Sequence, residues 1–367
     1  MKIKFIYLFC FLYINNIANA QLPVDKNATK ETVNLYRQLL MRIQKKQILL
    51  GQQDATAYGL DWKTDTDRSD MKTVSGTHPA VYGWDVGGVE KASDKNLDDV
   101  DFNEMRNLIK EAYRRGGVNT ISWHLINPVN DKWAWDTKTI ACIDSILPGS
   151  RYHEKYKLFL DRLAGFLNTL KTDDGVLIPI IFRPFHENTA GWFWWGADWN
   201  SIESYQKLWK FTLTYLRDTK GLHQLLYAYS PDKTKLHDTY FERYPGDDYV
   251  DILGHDSYHF GGTATASDFV NKTKETLLFI SKNAEKHGKI AALTETGLET
   301  VNQIDWWTNV LYKTIDNVPI AYVLMWRNAN ERPNHFYGPA PNQPANPDFL
   351  KLIKKCNIIT GNKLLKK

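Results

Sequence analysis

The amino-acid sequence predicts an α/β protein, a single (β/α)8 TIM barrel. Eight short apolar segments alternate along the chain with segments of helical periodicity, as in closed parallel barrels. Almost every apolar segment ends in polar or aromatic residues, which a barrel would gather at one rim. A doubly wound open sheet would also alternate, but we find no Gly-rich phosphate loop after any predicted strand.

The pattern places each element in order. The predicted strands are 48–53, 79–85, 118–124, 177–182, 224–230, 249–258, 289–297 and 321–327. The predicted helices are 27–44, 101–115, 152–170, 205–219, 268–287 and 306–316. Helix 101–115, for example, has apolar residues at helical spacing and is followed by two glycines. Residues 54–78 are polar and predict an irregular connection, and residues 125–151 form a long insertion that carries Trp133 and Trp135.

Composition and the N-terminus limit the class of protein. The 367 residues carry a formal charge of +4 with acidic and basic residues interleaved, so nothing indicates nucleic-acid binding. Residues 1–20 combine a basic start, an apolar stretch and small residues before Ala20, which predicts a cleaved signal peptide and a secreted or periplasmic protein without a membrane span. Residues 21–367 would then form the (β/α)8 barrel domain. Cys142 and Cys356 remain in it, and the sequence leaves open whether they are bridged or free.

The stretch 177–196 is the most informative part of the sequence. A buried strand ends in Arg183, His186 and Glu187, and four aromatic residues follow at 192–195. Ionisable groups at the carboxyl end of a barrel strand are typical of catalysis, and flat aromatic surfaces suit a sugar ring. In the alternative interpretation, Arg183 and Glu187 form a structural ion pair and the tryptophans belong to the core.

A second carboxylate, Glu295, ends the seventh predicted strand, opposite Glu187 on the fourth. Two carboxyl groups on either side of a glycosidic bond can divide the roles of acid and nucleophile. A separation of roughly 5–5.5 Å retains the anomeric configuration, whereas a wider gap admits water and inverts it. The sequence leaves that separation open.

Four motifs together resemble glycoside hydrolase family 26. They are Arg-Pro-Phe-His-Glu at 183–187, Gly-His-Asp-Ser-Tyr at 254–258, Thr-Glu-Thr-Gly at 294–297 and Met-Trp-Arg at 325–327. The resemblance extends from about Gln44 to Asn330. It implies a retaining endo-β-1,4-mannanase of the barrel fold that acts on mannans such as galactomannan and glucomannan. It also implies that Glu187 is the general acid/base and Glu295 the nucleophile.

The resemblance assigns substrate-binding roles to seven further residues. His186 and His124 would contact sugar. Trp192 would lie on the leaving-group side, and Trp326 would form the floor under the sugar that is attacked. Tyr258 would hydrogen-bond the nucleophile with Asp256 nearby, and Arg327 would contact the next sugar on the non-reducing side.

Several alternatives remain open at this point. A β-1,3-1,4-glucanase or a β-1,3-xylanase would use the same chemistry, and a non-catalytic carbohydrate-binding barrel would use the aromatic surfaces alone. A metal-dependent hydrolase is disfavoured because the rim histidines lack the usual ligand spacing, so we expect no metal and no cofactor. We expect a monomer whose partner is a β-mannan polysaccharide or manno-oligosaccharide. If the insertion 125–151 folds over one end of the cleft, the enzyme would favour chain ends.

Overall fold

A computed structural model describes residues 22–137, 139–232 and 239–361. Its main sheet is a closed ring of eight parallel strands, because the last of these strands, Tyr322–Met325, pairs with the first, Ile48–Gln53. In order around the ring the strands are β1 Ile48–Gln53, β4 Val81–Asp85, β5 Val118–Trp123, β6 Ile180–Pro184, β7 Leu225–Tyr229, β8 Ile252–His259, β9 Ile290–Leu298 and β10 Tyr322–Met325. The predicted TIM barrel is confirmed.

Helices lie between the strands. They are α1 Lys30–Gln44, α2 Asp70–Ser75, α3 Phe102–Arg114, α4 His153–Asn168, α5 Ile202–Thr214, α6 Ala266–His287, α7 Lys313–Ile315 and α8 Asn346–Ile353. Helix α5 continues as a π-helical segment, Tyr215–Thr219, and α7 follows another, Trp307–Tyr312. The predicted helices therefore exist, with ends that differ by a few residues.

The prediction of an irregular connection over residues 54–78 was wrong in part. This region contains the hairpin β2 Tyr58–Gly59 and β3 Trp62–Lys63, as well as α2. Helix α2 is only six residues long, but Ser69 accepts a hydrogen bond from the Lys72 amide and Gly76 ends the helix in the left-handed conformation. Such short, capped elements leave no periodic pattern in the sequence.

The C-terminal region also adds elements that the sequence pattern did not indicate. Strand β11, Ile358–Ile359, pairs in parallel with the first residues of β1, and α8 precedes it. Part of the basic segment 351–367 is therefore packed against the barrel. The rest of that segment from residue 362, like the predicted signal peptide, lies outside the described residues.

The core has two parts. One lies between the barrel and the surrounding helices and contains most of the buried aromatic residues. The other fills the barrel with aliphatic side chains from the strands and joins them to Leu35, Tyr36 and Leu39 of α1. The Tyr36 hydroxyl donates to the carbonyl of Gly288 at 2.7 Å, just before β9 begins. Helix α1 thus covers the amino end of the barrel, and the opposite, carboxyl rim stays open.

The cysteines and the helix lengths complete the description of the fold. Cys142 is buried, Cys356 is exposed and both are free thiols. Across the described ranges, every helix is too short or too polar to span a lipid bilayer.

Candidate active site

Glu295 lies in β9 at a bulge in the strand. On the β8 side, His255 pairs with Leu293 but Asp256 pairs with Glu295, so β9 contains one extra residue at this point. The pairing of β9 with β10 shifts at the same place. A bulge re-aims the side chain that follows it and is frequent beside active sites. Here the bulge places Glu295 opposite Asp256 at the carboxyl end of the barrel.

Two side chains from other strands orient Glu295. Arg183 of β6 donates from Nη2 to Oε1, and the Tyr258 hydroxyl of β8 donates to Oε2 at 2.7 Å. Arg183 also donates from Nη1 to Oδ2 of Asp256 at 2.7 Å and to the Ser230 hydroxyl at 3.0 Å. Burial, and then the Glu295 carboxylate, raise the pKa of Tyr258, so the phenol keeps the proton that it donates.

Glu187 follows β6 in a turn with a strained backbone. Phe185 and Glu187 have φ angles of +49° and +50°, in the left-handed region that residues other than glycine rarely adopt. Three hydrogen bonds hold the turn: from the Tyr205 hydroxyl to Phe185 O at 2.9 Å, from the Trp195 indole to His186 O at 2.8 Å, and from the Glu187 amide to Ser230 O at 2.8 Å. Strain that is held in this way is typical of functional sites.

The carboxyl group of Glu187 has surroundings that favour its neutral form. Burial, and next the negative charge of Glu295, raise the pKa of Glu187 well above its usual range. The indole Nε1 of Trp192 donates to Oε2 of Glu187 at 2.6 Å and opposes part of this rise. Since an indole N–H only donates, Oε2 is the accepting oxygen and the acid proton is best placed on Oε1.

The two glutamates face each other across a short gap. One oxygen each of Glu187, Asp256 and Glu295 lie within 4.8 Å of one another. This is the short separation typical of retaining glycosidases, not the wider one that accommodates a water molecule between the carboxyl groups. Three carboxylates at this spacing could also approach a cation, but the guanidinium of Arg183 already supplies positive charge to two of them.

His124 and His186 lie beside this pair. His124, directly after β5, places Nδ1 2.7 Å from Oδ2 of Asp85, and its Nε2 lies 3.1 Å from Nε2 of His186. The indole of Trp135 stacks on the His124 ring with centroids 5.2 Å apart. Both ring nitrogens of His124 therefore already have protein partners, so in this arrangement a sugar would meet the face or the C–H edge of the ring.

A cavity of about 600 Å³ lies beside His124. It is lined by Leu97, Asp98, His124, Trp133, Trp135, Trp326, Arg327, Glu331, Arg332 and His335. The indoles of Trp133 and Trp135 are half exposed in its wall. A concave surface of this volume with aromatic walls and a few charged groups suits a small ligand or part of a polymer.

Arg327 is held firmly in that cavity. Its guanidinium pairs with Glu331 at 2.8 Å and Asp98 at 3.3 Å, and it contacts the Tyr58 hydroxyl at 3.3 Å. Tyr58 in turn donates to the buried Asp54 at 2.7 Å. The hairpin that the sequence pattern did not predict therefore supports one wall of the site.

Comparison with known proteins assigns this chain to a family. The sequence profile described as glycosyl hydrolase family 26 matches residues 24–317. The chain belongs to glycosyl hydrolase family 26.

Solved structures of family 26 enzymes match nearly the whole chain. A family 26 β-mannanase from Bacteroides ovatus is 42% identical, with a TM-score of 0.87 over 90% of this chain and 95% of that one. A modular endo-β-1,4-mannanase from Cellulomonas fimi is 34% identical, with a TM-score of 0.82 over 92% of this chain and 77% of that one.

Curated relatives agree with this. A mannan endo-1,4-beta-mannosidase of Bifidobacterium adolescentis is 36% identical over 83% of this chain and 32% of its own length. One from Bacillus subtilis is 32% identical over 64% of this chain and 66% of its own length. The chain thus spans about one third to two thirds of the length of these two relatives.

The barrel brings together the residues that the sequence singled out. Glu187, Glu295, Tyr258 and Asp256 form one cluster that includes Arg183. Trp192 is half-buried and hydrogen-bonded to Glu187, while Trp326 and Arg327 line the cavity. The neighbours of Trp192 that sequence reasoning could not divide between core and cleft, Phe193, Trp194 and Trp195, are all buried.

Some contacts in this family 26 site were missed. The alternative pairing of Arg183 with Glu187 was wrong, because the guanidinium reaches Asp256 and Glu295. The sequence showed Asp85 at a strand end but gave no sign of its bond to His124. Trp133 and Trp135 were noted only as part of the insertion, and the structure places both in the cavity wall.

Proposed function

We propose that the chain hydrolyses β-1,4-mannosidic linkages in mannans with retention of anomeric configuration. The observation that supports the chemistry is the Glu187–Glu295 pair, with oxygens within 4.8 Å and contrasting surroundings. The substrate class is inferred from the relatives, which are named as mannan endo-1,4-beta-mannosidases and β-mannanases.

In the first step, an oxygen of Glu295 attacks the anomeric carbon while Glu187 donates its proton to the leaving oxygen. Arg183 and Tyr258 keep the nucleophile from rotating, since one donor holds each oxygen. The bond from the sugar carbon to the leaving oxygen breaks as the ester bond to Glu295 forms. Trp192, which is hydrogen-bonded to the acid, would form the aromatic surface on the leaving-group side.

In the second step, water displaces the sugar from Glu295 and Glu187 accepts a proton from that water. Esterification removes the negative charge of Glu295, which is one cause of the raised pKa of Glu187. The pKa of Glu187 therefore falls when a base is required. The same residue thus acts as acid and then as base without moving.

The attacked sugar would lie between the two glutamates, and the next sugars on the non-reducing side would occupy the cavity of about 600 Å³. Trp326 lies in its wall as a stacking surface, and Arg327 is oriented by Asp98 and Glu331 to meet hydroxyl groups. His186 is proposed to contact the attacked sugar beside the acid. Residues 1–20 favour export of the enzyme.

The two glutamates provide the direct test. With unbranched mannan, barley glucan and xylan as substrates, we expect reducing-sugar release from mannan and NMR detection of the β-anomer as the first product. Glu187→Gln and Glu295→Gln should each abolish release but leave oligosaccharide binding intact. Turnover retained by either variant would contradict its assigned role. Preference for glucan or xylan would favour the related activities of the family, and binding without release would favour a carbohydrate-binding barrel.

The position of Trp133 and Trp135 supports a further proposal about the mode of cleavage. Both indoles line the cavity and are half exposed. If they close the cavity beyond the sugars on the non-reducing side, we expect short products from the earliest times rather than random midchain cleavage. A time course on unbranched and galactosylated mannan measures this. Trp133→Ala should broaden the early product range. Early midchain products from the unmodified enzyme would contradict the proposal.

A further inference from the structure

Asp85, His124 and His186 form a buried hydrogen-bonded row that ends at the residue before Glu187. Asp85 Oδ2 lies 2.7 Å from Nδ1 of His124, and the two Nε2 atoms of the imidazoles lie 3.1 Å apart. Each of the three residues is 5% exposed or less. The row therefore connects the end of β4 to the strained turn that carries the acid.

Asp85 is fixed independently of His124. Its Oδ1 accepts the Gly87 amide at 2.7 Å, and its Oδ2 accepts the Ser122 hydroxyl at 2.6 Å. An ionised carboxylate only accepts hydrogen bonds, so the proton of the first contact is on Nδ1 of His124. The contact between the two Nε2 atoms requires one further proton, which belongs to either His124 or His186.

Nearby charges indicate which imidazole holds that proton. Burial lowers the pKa of His124, but the carboxylates of Asp85, Glu295 and Asp98 outweigh it and raise that pKa. Burial, and next the charges of Arg183 and His124, lower the pKa of His186 well below its usual range. These directions favour a doubly protonated His124 that donates from Nε2 and a neutral His186 that accepts.

We propose that Asp85 is a positioning residue for the hydrolysis, which acts through a protonated His124 to fix the ring of His186 next to the acid. This rests on the proposed function. Because His186 lies within the strained turn, between Phe185 and Glu187, a fixed ring also restricts the peptide that presents the acid. Phe193 packs against both imidazoles, with centroids 5.3 Å and 5.2 Å away, and leaves them little freedom to reorient.

Asp85→Asn tests this, because the amide keeps the size of the side chain and an accepting oxygen but removes the charge. The imidazole of His124 should lose its second ring proton at a lower pH than in the unmodified enzyme. The alkaline limb of the kcat/KM profile should therefore move down by about one pH unit, as expected when a charge-assisted hydrogen bond becomes neutral. We expect the effect mainly in kcat, since the row acts on the acid.

Ser122→Ala is the matched control. It removes another donor to the same Oδ2 but changes no charge and leaves the His124 contact in place. Its alkaline limb should stay where the unmodified enzyme has it. If both variants shift the limb equally, or if neither does, Asp85 has only a structural role and the proposal is overturned.

A second measurement needs neither activity nor a folded Asp85 variant. In the enzyme with ¹⁵N-labelled histidine, NMR should show one imidazole protonated on both nitrogens at neutral pH. His124→Gln, used only to assign the signal, should remove it. Absence of a doubly protonated imidazole overturns the proposal. If the enzyme failed to cleave mannan but kept this signal, the proposed function would fall and the protonation of the row would stand.

Discussion

Glu187 and Glu295 are the same residue type at the same rim, yet the barrel holds them in opposite ways. Glu295 is part of a bulged strand between two paired neighbours and receives hydrogen bonds from a cation and a phenol. Glu187 lies beyond its strand in a strained turn and accepts a hydrogen bond from a neutral indole.

The difference shows how two residues of the same type can serve different roles in one site. A guanidinium beside Glu295 suits a group that reacts as an anion. Burial near another negative charge raises the pKa of Glu187, which suits the general acid that we propose. Local backbone irregularities produce both settings: a bulge turns one carboxylate and a left-handed turn presents the other.

Tyr258→Phe removes a hydrogen bond to Glu295. It should lower kcat more than loss of the hydrogen bond from the Trp192 indole to Glu187. The change removes one of the two donors that orient Glu295, the proposed nucleophile. A hydrogen bond to a charged group is worth about 1.5–3 kcal/mol, so kcat should fall about 10- to 100-fold with little change in KM. Steady-state kinetics on manno-oligosaccharides measure this effect.

Tyr229→Phe is its control. That hydroxyl is also buried, but it donates to the carbonyl of Tyr240 and lies outside the carboxylate cluster. We expect nearly unchanged kcat, with any loss confined to stability. Equal losses of kcat in both variants would mean that Tyr258 acts through general packing. The hydrogen bond from its hydroxyl would then not distinguish Glu295 from Glu187.

Much of the fold could be predicted because each barrel strand is a short apolar run that ends in polar residues. The run before Arg183 and the one before Glu295 are examples, and both strands lie where the pattern indicated, within three residues. The bulge in β9 and the hairpin at Tyr58 could not be predicted in this way. They depend on pairing between segments that are distant in sequence, which no local periodicity records.

The site was predictable to the level of strand ends but not of side-chain contacts. Glu187, Glu295 and Tyr258 meet because parallel strands share a rim. The sequence did not show that Arg183 would reach Glu295, which is 112 positions away, because that depends on which way each strand turns its side chains. For the same reason, Asp85 was only one of several polar strand ends.

Trp192→Phe tests the hydrogen bond to Glu187 and should lower kcat less than Tyr258→Phe does. The phenyl ring keeps an aromatic surface for the leaving-group sugar but cannot donate to Oε2, so kcat should fall only about 2- to 10-fold, the range of an ordinary hydrogen bond. The indole contact lowers the pKa of Glu187, and its loss should raise that pKa further. The acid then stays protonated to higher pH, and the alkaline limb of the kcat/KM profile should move up.

The expected direction is opposite to that of Asp85→Asn, because Trp192→Phe changes the pKa of Glu187 and Asp85→Asn changes that of His124. Trp199→Phe is the control, because that indole donates to the carbonyl of Gly191 in the same loop and not to a carboxyl group. It should leave the limb in place. A downward shift in Trp192→Phe, or the same shift in Trp199→Phe, would show that the indole does not tune the acid. An upward shift confined to Trp192→Phe would mean that a neutral donor sets how far the acid's pKa rises, while charged and phenolic donors orient the nucleophile.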